Sequence, residues 1–340
     1  MDEHQPNLTS SELTGVWTGY MNDSLTVCVL KHFLQHIEDE DMRSSVQYSH
    51  DIAEQHLKNL SDLFNKEGLP LPTGFKIEDD VNLNAPRLYT DSFMLSYVNQ
   101  MARVGMVSYS GFVSMSARED IRNYFINGLK EASILYDRST QTMLEKGILT
   151  RAPYINYPKS TDFVDHKSYL SGLNPFSEKR PLNTVEISHL FLNIQTNTIG
   201  SKLATSLAQT SPREKVQKWV LRGKEISQKH IELFTKALLN ESITPANSPD
   251  LGVTDSTTPP FSDKLALFHM SLMSSAGIGN YAAAAGASQR SDLALNYERF
   301  SAEVARYALD GAQIMIDNNW LEEPPGTINK ETLAKKKNEH

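Results

Sequence analysis

Apolar residues recur along this chain with the period of an α-helix. In the last periodic stretch they fall every three or four residues, at Phe300, Val304, Tyr307, Gly311 and Ile314, which is the spacing of one buried helix face. Strand patterns are nearly absent. The periodicity predicts helices near residues 10–38, 42–66, 90–116, 119–147, 184–210, 213–240, 262–288 and 291–319. The predicted class is therefore all-α.

Two of the predicted helices begin with the same local signal. Thr9 stands three residues before Glu12, and Asn183 stands three residues before Glu186. Both pairs have the form of a capping box, in which the first side chain and the glutamate satisfy backbone N–H groups that the helix leaves free.

The chain contains an internal duplication. The stretch DIAEQHLKNL at 51–60 comes back as EISQKHIELF at 225–234, which lays His56 over His230. A shift of 174 residues aligns the first half of each copy, and a shift of 172 aligns the second half, pairing Glu131 with Glu303 and Tyr109 with Tyr281. Repeats at a fixed period indicate repeated structural units. We expect two tandem units of four helices each.

The connections predict how each unit is wound. Short turns join the first helix to the second and the third to the fourth, whereas long Pro-containing segments, 66–89 and 241–261, separate the second helix from the third. One long crossover is the arrangement of a ferritin-like four-helix bundle. The predicted organisation is a first bundle at 1–153, a linker at 154–180, a second bundle at 181–328 and a disordered basic tail at 329–340. The linker contains Tyr and Phe, which predicts that it packs on the bundles.

Composition restricts the partners and the compartment. The net charge of -8 and the pI of about 5.7 argue against nucleic acid, because phosphate neutralisation needs clustered basic residues. No signal peptide pattern and no apolar run long enough to span a membrane are present. The single cysteine, Cys28, lies among apolar residues. An inert buried thiol and a cytoplasmic location are the expectations.

Two polar residues of each copy fall on apolar helix faces at matching heights. His56 lies near the middle of the second helix and Glu131 near the middle of the fourth, and His230 and Glu303 repeat this arrangement. Because a buried carboxylate needs a partner, each histidine is predicted to pair with the glutamate of its own bundle. Tyr109 and Tyr281 are expected at about the same level.

Such a pair has two interpretations. One is a buried hydrogen-bonded pair that fixes helix register, and the other is a site for one metal ion, iron or zinc, bound with water or Tyr. A full di-metal site needs Glu-x-x-His on two helices, but Ala53 and Ser227 stand three residues before the histidines. Glu186-x-x-His189 does have this spacing. Capping explains the glutamate, and His189 is either a further metal ligand or a residue at the surface or between the domains.

Two stretches resemble a known family. RPLNTVEISHLF at 180–191 and GAQIMIDNNWLEEPP at 311–325, together with the tandem layout, resemble the domain of unknown function 3231 family of spore-forming bacteria. The resemblance covers nearly the whole chain. It implies tandem ferritin-like four-helix bundles, distantly similar to the spore coat protein F group, and allows a spore association. It implies no activity and no catalytic residues.

Two functional hypotheses follow. The first is a ferritin-like protein that binds a metal ion or a small ligand at a His–Glu centre in each bundle, with His56, Glu131, His230, Glu303 and His189 as the candidate ligands. The second is a non-catalytic scaffold or coat-like interaction protein. No nucleotide-binding, hydrolase or metalloprotease motif is present, and a homo-oligomer is an open expectation. Three further helical histidines, His32, His36 and His50, are predicted at the surface.

Overall fold

The computed structural model describes residues 6–174, 179–245, 251–327 and 329–330. The first bundle contains α1 (Ser10–His36), α2 (Glu40–Lys66), α4 (Asp91–Met115) and α5 (Glu119–Glu145), with a one-turn helix α3 (Ile77–Asp80) in its crossover. The second bundle contains α6 (Thr184–Thr210), α7 (Glu214–Leu239), α8 (Asp263–Ala287) and α9 (Ser291–Asp317). The predicted all-α class with two tandem four-helix bundles is confirmed. The bounds of the long helices differ from the predicted ones by a few residues, and α3 was not predicted.

Local signals set the helix starts as expected. Thr9 and Asn183 form complete capping boxes with Glu12 and Glu186, respectively. Thr90 and Ser262 cap α4 and α8 through their hydroxyl groups. These caps satisfy N–H groups that the first turn of a helix leaves free.

The two crossovers pair with each other across the bundles. Isolated antiparallel bridges join Val81 to Phe261 and Tyr89 to Val253. A shift of 172 residues converts one bridge into the other, so a local two-fold axis relates the copies at this interface. The hydroxyl of Tyr97 and Nε2 of His269, which occupy equivalent positions, lie 2.8 Å apart across the same interface. One apolar core runs through both bundles.

The linker does not pack as predicted along its first part. Tyr157 and Phe163 are 89% and 88% exposed. Further along, a short 3-10 helix (Lys167–Leu170) places Tyr169 against the second bundle, where its hydroxyl donates to Gln289 Oε1 at 3.1 Å. Residues 175–178 of the linker, and most of the predicted basic tail, lie outside the described residues. No described helix combines the length and apolarity needed to cross a membrane.

Candidate functional site

The first candidate site is centred on His56, which α2 places inside the first bundle with 3% of its surface exposed. Its Nε2 lies 2.7 Å from Oε2 of Glu131 on α5. Its Nδ1 lies 3.2 Å from the hydroxyl of Tyr109 on α4. The predicted His–Glu contact and the predicted level of Tyr109 are therefore present in the structure, and both imidazole nitrogens have protein partners.

A fourth residue of this site, Asp23, comes from α1. Its Oδ2 lies 3.6 Å from Nδ1 of His56, which is too far for a hydrogen bond. Among the described residues, Oδ2 of Asp23 has no hydrogen-bond partner although it is buried. Each long helix of the first bundle thus supplies one polar side chain, and one carboxylate oxygen is left without a donor.

The second bundle repeats the site around His230, which is fully buried. Nδ1 of His230 lies 2.8 Å from the hydroxyl of Tyr281, and its Nε2 lies 3.1 Å from Oε2 of Glu303. Asn197 occupies the position of Asp23, and its Nδ2 donates to the Tyr281 hydroxyl at 2.8 Å. Lys229, where the first copy has Gln55, contacts both oxygens of Glu303 at 2.8 Å. The copies therefore share a His–Tyr–Glu core but differ in the charges around it.

These charges give His56 and His230 different pKa values. Burial lowers the pKa of His56, but the charges of Asp23 and Glu131 and the hydrogen bond to Glu131 outweigh it and raise the pKa to about 9. Burial lowers the pKa of His230 by more than Glu303 raises it, and Lys229 lowers it further. Burial also raises the pKa of Asp23. At neutral pH the first site thus holds an imidazolium and the second a neutral imidazole.

Comparison with known families identifies the chain. The family model described as "Protein of unknown function (DUF3231)" matches residues 1–160 and 170–333. The chain belongs to this family. Among solved structures, the DUF3231 chain is similar to a "putative spore coat protein" from Bacillus halodurans C-125, with 17% identity and a TM-score of 0.42, over 44% of this chain and 98% of that one. No curated protein matches it.

The distances between the donor atoms of this DUF3231 protein can be compared with those around a bound metal ion. Ligands about 2.0–2.1 Å from a tetrahedral ion lie roughly 3.3 Å apart, whereas Nε2 of His56 and Oε2 of Glu131 are at the hydrogen-bonding distance of 2.7 Å. Asp23 and Glu131 contact opposite nitrogens of the His56 ring. Among the described residues, three metal-ligating groups converge only at His50, Asp51 and Glu54 on α2. The metal role of the predicted ligands stays a prediction.

Not every candidate ligand joins these sites. No hydrogen bond or ion pair in the described part of the chain links the side chain of His189 to His230 or Glu303. The predicted surface placement of His32 and His50 is wrong, since they are 0% and 4% exposed. His32 packs edge-on against Phe261 of the other copy, and burial lowers its pKa to about 3. Inter-bundle packing, invisible to helix periodicity, accounts for the burial of His32.

Sequence reasoning missed Asp23, Asn197 and Lys229. A signal for the first two was present, because a shift of 174 residues aligns them as polar residues at the middle of α1 and α6. The exchange of Gln55 for Lys229 next to the repeated histidine was also visible. What the alignment could not supply is which of these side chains reaches the imidazole.

Proposed function

We propose that this protein is a non-catalytic tandem-bundle scaffold, in which each buried His–Tyr–Glu core fixes the register of its helices. One observation carries the proposal: in both bundles the two imidazole nitrogens are already engaged by a tyrosine and a glutamate of the same bundle. A polar core group that has partners on defined helices disfavours other registers, because a slip would leave those groups unpaired.

Contacts across the bundles support a rigid scaffold. The crossovers pair backbone to backbone, with Thr254 N donating to Leu88 O at 2.9 Å and Asn82 N donating to Pro260 O at 2.8 Å. Tyr89 of the first bundle contacts Ser206 of the second, with 2.8 Å between their hydroxyl oxygens. A scaffold also needs a partner surface, and we include self-association of this chain in the proposal. A cytoplasmic location is part of the proposal as well. Light scattering of the purified chain would show whether it is a dimer.

Metal binding is the second candidate function. The observation that favours it is specific to the first bundle, where two carboxylates, Asp23 and Glu131, flank one imidazole and an oxygen of Asp23 has no donor. His56 and Glu131 would hold iron or zinc there, with Tyr109 or water completing the coordination. His230, Glu303 and His189 are the corresponding candidates in the second bundle. The description of the two bundles as ferritin-like is part of this second candidate function.

Elemental analysis distinguishes the two functions. Protein expressed with iron and zinc available is expected to contain well under one metal ion per chain, with the same content in wild type and in His56→Ala. His230→Ala is expected to lower the free energy of unfolding by about 1–3 kcal/mol, because Tyr281 and Glu303 each lose a buried partner. Urea unfolding measures this loss. His166→Ala is the matched control, since that side chain is 79% exposed.

A metal content near one ion per chain that disappears in His56→Ala, but not in His166→Ala, would overturn the scaffold proposal in favour of the metal centre. If His230→Ala has the same free energy of unfolding as the wild type, His230 does not fix the packing of the second bundle. The proposed scaffold role of that bundle would then be wrong.

A further inference from the structure

A cavity of about 150 Å³ lies inside the first bundle next to the His56 site. Most of its lining is apolar or small, including Ile52, Ala53, Met101 and Leu135, and Leu272 of the second bundle also contributes. Asp23 and Tyr109 line the same cavity, which places a carboxylate in a mainly apolar pocket. Pockets between helices of a bundle, lined by apolar groups with a few polar ones, are typical sites for small ligands.

The second bundle has the same cavity in a smaller form. It measures about 50 Å³ and is lined by the equivalent residues, with Asn197 in place of Asp23 and Tyr281 in place of Tyr109. Val304 and Tyr307 stand there in place of Ala132 and Leu135. The duplication thus preserves the position of the cavity, while larger side chains fill much of the second copy and an amide replaces its carboxylate.

The enlarged cavity contains unsatisfied acceptors. Oδ2 of Asp23 and Oδ1 of Asn22, two residues that line it, are buried and have no hydrogen-bond partner among the described residues. Asp23 is only 9% exposed. Leaving a buried carboxylate oxygen without a donor is costly. A molecule that donates N–H or O–H groups inside the cavity would remove this cost.

The charges around the cavity favour a cation. In the first bundle, the carboxylates of Asp23 and Glu131 lie on either side of one histidine, His56. In the second bundle, Lys229 pairs with Glu303 and the neutral Asn197 replaces the aspartate. The first site therefore has one carboxylate more than the second and no lysine. A buried carboxylate is stabilised by a cationic donor at hydrogen-bonding distance.

We propose that the first-bundle cavity is a binding site for a small organic cation, a short-chain primary alkylammonium. Its ammonium group would donate to Asp23, and its alkyl chain would lie along the apolar lining. Size agrees with this class, because a cavity of roughly 150 Å³ holds benzene, which has about six heavy atoms. This site goes beyond the scaffold role and does not depend on it, since a scaffold can bind or not bind such a ligand.

The experiment is isothermal titration calorimetry of the full chain with three matched probes: n-butylammonium, 1-butanol and butanoate. Butylammonium is expected to bind in the millimolar range or tighter. Butanol is expected to bind at least about tenfold more weakly, since it lacks the charge-assisted hydrogen bond. Butanoate is expected to show no measurable binding. Asp23→Asn, which introduces the residue of the second copy, should weaken butylammonium roughly tenfold to a hundredfold. The exposed Asp162→Asn is the control.

A second variant keeps the test decisive if Asp23→Asn does not fold. Ala132→Val introduces the bulkier residue of the second copy and should weaken butylammonium and butanol alike by reducing the cavity. Equal binding of all three probes would overturn the proposal by showing that Asp23 does not select a cation. No binding of butylammonium to the wild type would also overturn it and leave a cavity that holds only water. If the metal-free protein in the same samples keeps its free energy of unfolding, the scaffold function is unaffected. The failure of the ligand proposal and the failure of the scaffold proposal are therefore distinguishable.

Discussion

Replacing Glu186 with alanine is expected to lower the free energy of unfolding of the second bundle by about 3–5 kcal/mol, the usual cost of removing one partner of a buried ion pair. Glu186 is 0% exposed. Its oxygens accept from both terminal nitrogens of Arg180, at 2.7 and 2.8 Å, and from the backbone N–H groups of Asn183 and Arg290. The alanine variant leaves Arg180 and these N–H groups without their acceptor.

The first bundle provides a matched comparison. Glu12 accepts from the backbone N–H groups of Thr9 and Arg118, but Pro6 stands where the second copy has Arg180. Glu12→Ala leaves no guanidinium unpaired and should cost only about 1–2 kcal/mol, mainly the lost cap. The exposed Glu232→Ala should change stability by less than about 0.5 kcal/mol. Urea unfolding followed by tryptophan fluorescence, with Trp17 in the first bundle and Trp219 in the second, measures these losses. Equal losses for Glu186 and Glu12 would contradict the ion-pair argument.

The pH dependence of Glu186 has a defined sign. Burial raises the pKa of this carboxyl group, but Arg180 and the backbone N–H groups outweigh burial and lower it below 4.5. A lowered folded-state pKa contributes stability that is present above the unfolded value and is lost as pH falls through the folded value. Wild type and Glu186→Ala should therefore converge in stability in acid.

The second large effect is a loss of stability of the first bundle between pH 6.5 and 9. The pKa of His56 rises from 6.5 to about 9 on folding, which corresponds to roughly 3 kcal/mol at 1.36 kcal/mol per pKa unit. In this window the folded protein holds a proton that the unfolded chain has released, so stability is full below pH 6.5 and falls as pH rises. Asp23 and Glu131 lose their charged partner as the imidazolium deprotonates.

Other buried histidines do not obscure this window. Burial lowers the pKa of His32 and of His269 to about 3, and the pKa of His230 is also lowered. These three are neutral in the folded and unfolded states above pH 6.5, so their linked losses appear only in acid. These three histidines therefore contribute no slope between pH 6.5 and 9.

His56→Gln provides the measurement. The difference in unfolding free energy between wild type and this variant is expected to shrink by roughly 3 kcal/mol from pH 6.5 to 9. NMR titration of the imidazole Cε1–H signals should give a midpoint near 9 for His56 and below 6.5 for His230. A constant stability difference, or a His56 midpoint near 6.5, would show that Asp23 and Glu131 do not hold the proton.

The His–Glu contacts were predictable because helices constrain where side chains lie. Periodicity identified the buried faces, the duplication aligned His56 with His230, and antiparallel helices of known length bring residues equidistant from a turn to the same height. The requirement that a carboxylate on a buried face finds a partner then selected Glu131 and Glu303. Each step used only local geometry and chain order.

The chain order and helical pattern alone thus establish the tandem all-α architecture, the capping boxes and the two His–Glu contacts, because these depend on residues within one helix or on helices joined in known order. The pairing of the crossovers, the burial of His32, the approach of Asp23 to His56 and the unequal cavities depend on how bundles and side chains pack. Packing brings together residues far apart in the chain, such as Tyr97 and His269, and only the tertiary structure decides which of them touch.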